Sequence, residues 1–367
     1  MKKDRNIRIL IIITILAVTL PTGLLIGKIT FSNNINLLMT YLMLVLSIAA
    51  AVVLETAIHE AGHMLFGLLT GFRFLSYRVL SLIVTYRDGK LSFGRYSIPG
   101  TLGQCLMGSP VSREKKPYFL YNAGGLIANL ISAVIFYLIA FRSDSVPVAV
   151  FFAVSGMYAL IMFFSNGIPY KGSGVANDAE NIREMHQHPE AIDSFYLMLD
   201  INEMLAEGKR TSDIPDEMLD LREATLNSGS LGASNILWLE SRLMDQQKFD
   251  EAEKLIREIK DKDYPLMDLQ RNGLELDQKY IDCLSGTFED VTDKKLLKFI
   301  QASKSSSLST IRYLYARALY LKNEKEANEL LGKFASLEKG YSYKGEYQVE
   351  KELMDTAKEK ISGTLPS

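Results

Sequence analysis

Residues 37–69 read LLMTYLMLVLSIAAAVVLETAIHEAGHMLFGLL, and this stretch decides the fold. No charged residue stands between Leu37 and Leu54, and a short polar motif then leads into the apolar run Met64–Leu69. A helix needs about 20 mostly apolar residues to cross the hydrocarbon core of a bilayer. The sequence therefore predicts a membrane-spanning helix that carries ionisable side chains near one end.

Three further stretches are apolar enough to span a membrane, namely Ile7–Ile26, Tyr118–Phe141 and Pro147–Ile168. The first follows several basic residues, as a cleaved signal peptide would. It lacks a small-residue cleavage site, however, so we expect a retained anchor. Basic residues concentrate at the N-terminus and in residues 72–117, which predicts that both face the cytoplasm. Four crossings place the C-terminal half on that side as well.

The chain has 367 residues, and its average composition hides two unlike halves. The long apolar runs come first, while residues 180–367 are rich in Lys, Glu, Asp, Leu and Ala. A net charge of −2 gives no electrostatic basis for binding nucleic acid. The two cysteines, Cys105 and Cys283, lie in different halves, so we expect neither a disulfide framework nor a cysteine metal site.

The polar motif inside the second apolar stretch is His59-Glu60-Ala61-Gly62-His63. Residues four apart lie on one face of a helix, so the two imidazoles can share one Zn²⁺ ion. Glu60 can then take a proton from a metal-bound water and pass it to a leaving amine. Ionisable groups in a membrane helix are costly and mark functional sites, which favours a metal site over two structural histidines.

A catalytic zinc ion needs a third protein ligand, with a fourth position left for water. By position, the candidates are the carboxylates after the fourth apolar stretch, namely Asp178, Glu180 and Glu184. Glu55 lies four residues before His59. It either orients a histidine or only faces a polar cavity.

Three features resemble the site-2 protease family of intramembrane metalloproteases. They are the His59–His63 motif in a membrane helix, the small-residue stretch Ala123–Asn129, and Asn166-Gly167-Ile168-Pro169 followed by an Asp. The resemblance covers roughly residues 35–182. It implies a zinc metalloprotease that hydrolyses a peptide bond in or near the transmembrane segment of a substrate protein or peptide. We expect such a protein in a bacterial cell membrane.

The resemblance also implies roles for single residues. Glu60 would be catalytic, and the zinc ligands would be His59, His63 and Asp178. Asn129, Asn166 and Pro169 would lie near the substrate, although Asn129 could instead hydrogen-bond between helices.

This chain departs from the family at three places, one of which is Ala179, where the family has a Gly after its Asp. The family has its Asp five residues after the Pro, where this chain has Gly174, and a Pro where this chain has Gly125. Glycines in the loop would allow a longer connection to Asp178. The alternative function is an inactive protease-like scaffold whose helical domain binds partners.

Residues Ser81–Tyr96 predict a β-hairpin with its turn at Asp88-Gly89. That turn pairs Arg87 with Lys90, Tyr86 with Leu91, and Val84 with Phe93. A free edge strand could hold an extended substrate, or the hairpin could only seal the membrane surface. The Gly-rich stretch Ile98–Pro110 reads as a re-entrant segment or as a linker.

Residues 190–367 predict a soluble α-helical domain in which helix–turn–helix units recur about every 40 residues, as in tetratricopeptide-like arrays. Such arrays bind peptides or proteins on a concave surface, so a cytoplasmic protein is the expected partner. An irregular helical domain that only packs or regulates is the alternative. The predicted fold is an all-α membrane domain of about four transmembrane helices with a β-hairpin insertion, followed by this domain. Residues 1–34 would form the anchor and 35–182 the protease core.

Overall fold

The structure is a computed structural model that describes residues 2–87, 89–96, 101–110, 117–172, 175–341 and 343–363. Within those ranges, four helices are long and apolar enough to cross a membrane. They are α1 (Lys2–Ser32), α2 (Leu37–Leu69), α3 (Tyr118–Arg142) and α4 (Val146–Gly167). The four predicted spans are confirmed as helices, and α2 runs without a break through the histidine motif. These helices indicate a membrane protein.

Small residues allow α2 and α3 to approach closely. A Cβ atom on Gly62 would lie 2.3 Å from the carbonyl oxygen of Gly124, so no larger residue fits at this crossing. On α1, the hydroxyl of Thr22 lies 2.6 Å from the hydroxyl of Tyr137 on α3. The close crossing brings the histidine face of α2 directly against the backbone of α3.

A small antiparallel sheet of four strands lies between α2 and α3 in the chain. Its strands are β1 (Arg73–Val79), β2 (Leu82–Arg87), β3 (Lys90–Arg95) and β4 (Gly103–Gly108). Strands β2 and β3 pair Arg87 with Lys90, Tyr86 with Leu91, and Val84 with Phe93, so the predicted hairpin register is confirmed. Gly89 has a φ of 75°, which suits the glycine of this turn, while Asp88 lies outside the described residues.

Strand β4 corrects our interpretation of the Gly-rich stretch. Residues 103–108 are neither a re-entrant segment nor a linker, because they pair antiparallel with β1. Cys105, Leu106 and Met107 are buried there, and the apolar side chains explain why the strand packs inwards. Residues 98–100 of the same stretch lie outside the described residues.

The chain divides into two compact units. The first contains Met1–Leu80, Leu102–Gly172 and Ala176–His186, and the second contains Ser81–Thr101, Ser173–Val175 and Gln187–Ser367. The β2–β3 hairpin thus groups with the C-terminal helices. After α4, the short strands β5 (Lys171–Gly172) and β6 (Val175–Ala176) lead into α5 (Asp178–Gln187).

The C-terminal half of the chain is helical. Its helices are α6 (Pro189–Ala206), α7 (Glu223–Leu226), α8 (Ser230–Asp245), α9 (Phe249–Lys262), α10 (Asp268–Ser285), α11 (Lys294–Ser303), α12 (Leu308–Tyr320), α13 (Glu324–Leu337) and α14 (Lys344–Gly363). Tight turns join α8 to α9 and α12 to α13. The helices in between differ in length, and the structure does not establish a tetratricopeptide-like repeat.

A buried charged cluster lies in the core of the second unit. The guanidinium of Arg312 packs 4.7 Å from the ring centre of Tyr280, forms an ion pair with Asp277, and lies 3.3 Å from the carboxylate of Glu350. Glu240 on α8 is also buried within electrostatic range of these groups. A single buried cation therefore faces three carboxyl groups, an arrangement that desolvation makes costly when all three are ionised.

We predict that the second unit loses stability as the pH rises from about 5 to about 8. Burial raises the pKa of Glu350 from 4.5 to about 7, against the lowering effect of Arg312, and burial also raises the pKa values of Glu240 and Asp277. The folded state then binds protons that the unfolded state has lost, so folding weakens as these protons leave. The fluorescence of the single tryptophan, Trp238, should show a falling urea midpoint over this range.

Glu350→Gln should flatten this pH dependence, whereas Glu359→Gln, an exposed substitution on the same helix, should leave it unchanged. A midpoint that stays constant or rises in the wild type between these pH values would contradict the prediction.

Candidate metal centre

Side chains from α2 and α5 converge on one point. The Nε2 atoms of His59 and His63 lie 3.1 Å apart, and Oδ2 of Asp178 lies 3.2 Å from the first and 3.5 Å from the second. Both histidines are buried, and Asp178 is mostly buried. These three residues form a group that could hold a metal ion.

The second nitrogen of each imidazole shows which atoms carry protons. Nδ1 of His59 lies 2.6 Å from Oδ1 of Asn129, and Nδ1 of His63 lies 2.8 Å from the backbone carbonyl oxygen of Tyr121. Both partners are acceptors, so each Nδ1 donates its proton. In the neutral imidazoles, the two Nε2 atoms then present lone pairs to the shared point.

With both imidazoles neutral, three acceptor atoms therefore meet without a proton between them. The carboxylate atom Oδ2 of Asp178 is buried and has no hydrogen-bond donor. Such a group is repulsive unless a cation lies at its centre. Tetrahedral coordination at about 2.1 Å separates ligand atoms by about 3.4 Å, close to the separations in this group. The residues thus fit a metal ion of that size and geometry.

Glu60 lies beside this group without belonging to it. Its side chain is buried, and the backbone of Cys105 in β4 hydrogen-bonds to its carboxylate. Strand β4 passes so close that a Cβ atom on Gly103 would lie 2.4 Å from Oε1 of Glu60. The strand holds this carboxylate next to the three converging ligands, where a general base would act.

The structure decides between the two roles that the sequence leaves open for Glu55. Oε2 of Glu55 accepts hydrogen bonds from Nδ2 of Asn129 and Oγ of Ser132, each at 2.9 Å. The same asparagine accepts a hydrogen bond from Nδ1 of His59, so Glu55 orients this histidine through Asn129. Asn129 is fully buried, with both ends of its amide engaged in this network.

Of the three carboxylates that the sequence offers as third ligand, only Asp178 reaches the histidines. Glu180 pairs with Arg183 at 2.6 Å, and Glu184 pairs with Lys171 at 3.0 Å. Both glutamates are thus engaged in ion pairs and do not belong to the group of three ligands. Asp178 therefore lies beside the two histidines, although it stands farther from Pro169 than the Asp of the family does.

Asn166 and Pro169 do not join the group of three ligands. Nδ2 of Asn166 donates to the carbonyl oxygen of Met162 at 3.1 Å, within α4 itself. Pro169 follows the end of that helix at Gly167. The substrate-binding roles of Asn129, Asn166 and Pro169 stay predictions.

Cys105 is a buried free cysteine that does not belong to the group of three converging ligands. Burial raises the pKa of Cys105 well above its ordinary value, and the charge of Glu60 raises it further, so the thiol keeps its proton at neutral pH. Burial likewise raises the pKa of Tyr77 to about 12, with its hydroxyl donating to the carbonyl oxygen of Ala57 at 2.5 Å. Tyr77 thereby ties β1 to α2, a contact that the sequence does not reveal.

Gly125 lies directly against both histidines, whereas the sequence shows only that it differs from the Pro of the family. A Cβ atom there would lie 2.5 Å from Cε1 of His59 and 2.6 Å from Nε2 of His63. The absence of a side chain on α3 leaves room for both imidazoles. The sequence cannot show this, because the two helices meet only in the folded chain.

Comparisons with protein-family models, curated proteins and solved structures found no match for this chain. No relative therefore supplies a function for it. The functional argument rests on the convergence of His59, His63 and Asp178 and on the carboxylate of Glu60 beside them.

We predict that single ligand substitutions abolish metal binding. His59→Ala, His63→Ala and Asp178→Ala each remove one of three donor atoms, so purified protein should lose its stoichiometric metal, whereas Glu60→Gln should retain it. Elemental analysis of detergent-purified protein measures this directly. A wild type without a bound divalent metal, or an Asp178→Ala variant with full occupancy, would contradict the assignment.

We also predict that Gly125→Ala displaces the two imidazoles and weakens metal binding. The added methyl group cannot coexist with the present ring positions, because contacts of 2.5 Å are far inside van der Waals distance. Gly27→Ala is the matched control, since a Cβ atom at that position in α1 meets nothing within 4 Å. Equal metal content in the two variants would refute the proposed packing.

Proposed function

We propose that this protein is an intramembrane zinc metalloprotease that hydrolyses a peptide bond in or near a substrate's transmembrane segment. The observation that supports this most is the convergence of His59, His63 and Asp178 beside Glu60. The two histidines and Glu60 lie on a helix apolar enough to span a membrane. Two imidazoles and one carboxylate are the donor set of a catalytic zinc ion with one position open.

The ligands themselves favour zinc. Imidazole nitrogen suits Zn²⁺, Cu²⁺, Fe²⁺ and Ni²⁺, whereas Mg²⁺ and Ca²⁺ prefer sites made of oxygen atoms. Three protein ligands at tetrahedral separations leave a fourth position for water, which is the zinc arrangement. When bound, the ion would supply Lewis-acid activation of that water.

The residues of this chain would divide the remaining work. Glu60 would accept a proton from the water molecule while the oxygen of that water attacks the scissile carbonyl carbon. The same carboxyl group would then return the proton to the leaving amine as the C–N bond breaks. Asn129 and the carbonyl group of Tyr121 keep the two imidazoles in the required tautomer, with Nε2 free of protons.

The β2–β3 hairpin is a reasonable place for the substrate to bind in extended form. Leu91 and Phe93 on β3 are 59% and 79% exposed, so the strand offers apolar side chains to a peptide. At its end, Tyr96 packs against Tyr341 and Tyr343, with ring centres 5.5 Å and 5.3 Å away. The hairpin is thus supported by the C-terminal helices of its own unit.

We further propose that both termini face the cytoplasm and that residues 190–367 bind a cytoplasmic protein. The basic residues of the N-terminus and of the 72–117 loop support this orientation. The α8–α9 and α12–α13 hairpins support a tetratricopeptide-like surface for a partner. The shifted position of Asp178 was the reason to consider an inactive scaffold. Asp178 nevertheless lies close to both histidines, which supports the protease.

We predict that Glu60→Gln retains the metal but lowers peptide cleavage by a factor of about 10² to 10⁴ or more, because the amide cannot accept the proton of water. Membrane peptides from cells that produce either form can be compared by mass spectrometry. A membrane peptide that accumulates uncleaved only with Glu60→Gln identifies the substrate.

The matched control is Glu207→Gln, an exposed carboxylate outside the metal centre. Cleavage of the identified peptide should stay at the wild-type rate in this variant. Undiminished cleavage by purified Glu60→Gln would disprove the proposed role of this residue.

A further inference from the structure

Asn177, the residue before the third ligand, uses every hydrogen-bonding position of its side chain. Nδ2 donates to the carbonyl oxygens of Ser165 and Ile168, each at 2.7 Å. Oδ1 accepts from the backbone N–H groups of Tyr170 at 3.1 Å and Glu180 at 3.0 Å. A primary amide has two donor hydrogens and two acceptor lone pairs, and all four are satisfied here.

These four bonds join three separate pieces of chain. Ser165 and Ile168 lie at the C-terminal end of α4, Tyr170 lies in the connection, and Glu180 lies in the first turn of α5. The backbone of Asn177 adds a bond of its own, because its N–H donates to the carbonyl oxygen of Tyr170 at 3.2 Å. One side chain therefore closes the loop between the helix that ends before the site and the helix that begins with the ligand.

The loop needs such a closure for two reasons. The last carbonyl groups of α4 have no partner inside the helix, and Pro169 has no N–H to offer them. The first N–H groups of α5 likewise lack intrahelical acceptors. Asn177 satisfies groups of both kinds at once, which an exposed loop of the same length would leave to water.

The next residue along the chain is Asp178, whose Oδ2 atom lies 3.2 Å and 3.5 Å from the Nε2 atoms of the two imidazoles. Its Cα position follows directly from that of Asn177, because adjacent Cα atoms across a trans peptide are about 3.8 Å apart. Fixing Asn177 therefore limits where the Cα atom of Asp178 can lie, and with it the reach of the carboxylate. Asn177 closes the connection that spans the nine-residue offset from Pro169.

We propose that Asn177 is a positioning residue for the metal centre, and that its fourfold amide bonding holds Asp178 at the two histidines. The proposal rests on the metal site of the proposed function. Asn177 would allow Asp178 to act as a ligand although it stands nine residues after Pro169. Neither aspartate nor serine can replace it, because neither supplies two donor hydrogens together with two acceptor positions.

The test is Co²⁺ binding to the metal-free, detergent-purified full-length protein, followed through the visible absorption of the bound ion. Asn177→Ala removes all four side-chain bonds. We expect affinity for Co²⁺ to fall by about 10- to 100-fold, the range found when groups that support a metal ligand are lost. The absorption band should also change in position and intensity, because the carboxylate no longer reaches the ion in the same geometry.

Asn177→Asp separates loop closure from helix capping. The aspartate retains an acceptor for the N–H of Glu180, but it presents an oxygen to the carbonyl groups of Ser165 and Ile168. We expect it to keep the wild-type circular dichroism and still lose affinity for Co²⁺. If Asn177→Ala fails to fold, this variant decides the matter by the same measurement.

Asn36→Ala is the matched control, because Oδ1 of Asn36 accepts a single bond of 2.9 Å from the N–H of Met39 at the start of α2. Loss of that cap should leave Co²⁺ affinity and the absorption band unchanged. Wild-type affinity and spectrum in Asn177→Asp, or an equal loss in Asn36→Ala, would overturn the proposal.

Cleavage of a substrate is a separate readout. A wild type that binds Co²⁺ through Asp178 but cleaves nothing would contradict the proposed protease, while the affinities of the variants would still support the role of Asn177. A wild type that binds no Co²⁺ would overturn both.

Discussion

The structure depends on the convergence of three possible ligand atoms, two imidazole nitrogens on α2 and one carboxylate oxygen on α5. When both imidazoles are neutral, such atoms repel one another in a poorly solvated interior, so the arrangement fits a cation at its centre. The surrounding contacts follow from this constraint. Acceptors at both Nδ1 atoms select the tautomer, and glycine on α3 leaves space for the rings.

Burying polar groups inside a membrane protein is costly unless each of them is bonded. In this protein, hydrogen bonds run from Glu55 through Asn129 to His59 and satisfy these buried groups. The side chain of Asn177 satisfies the backbone groups of the loop before Asp178. Strand β4 adds backbone groups next to Glu60. Polar residues that look isolated in the sequence are therefore hydrogen-bonded around the candidate metal centre.

Much of this could be predicted from the sequence. The four apolar spans follow from hydropathy, the register of the hairpin from its turn, and the shared face of His59 and His63 from helical spacing. Asp178 was one candidate among three. The partner of Glu55 and the strand at residues 103–108 could not be foreseen, because both depend on which distant segments pack together.

The sequence by itself determined the four long apolar helices, the β2–β3 hairpin and the shared face of the two histidines, because hydropathy, turn residues and helical spacing act over short stretches of chain. Only the tertiary structure decided which carboxylate completes the metal group and which groups hold the histidines. The carbonyl group of Tyr121 that bonds His63 stands 58 residues away in the chain. Contacts at such separations are set by the packing of α2 against α3, and local sequence patterns carry no record of that packing.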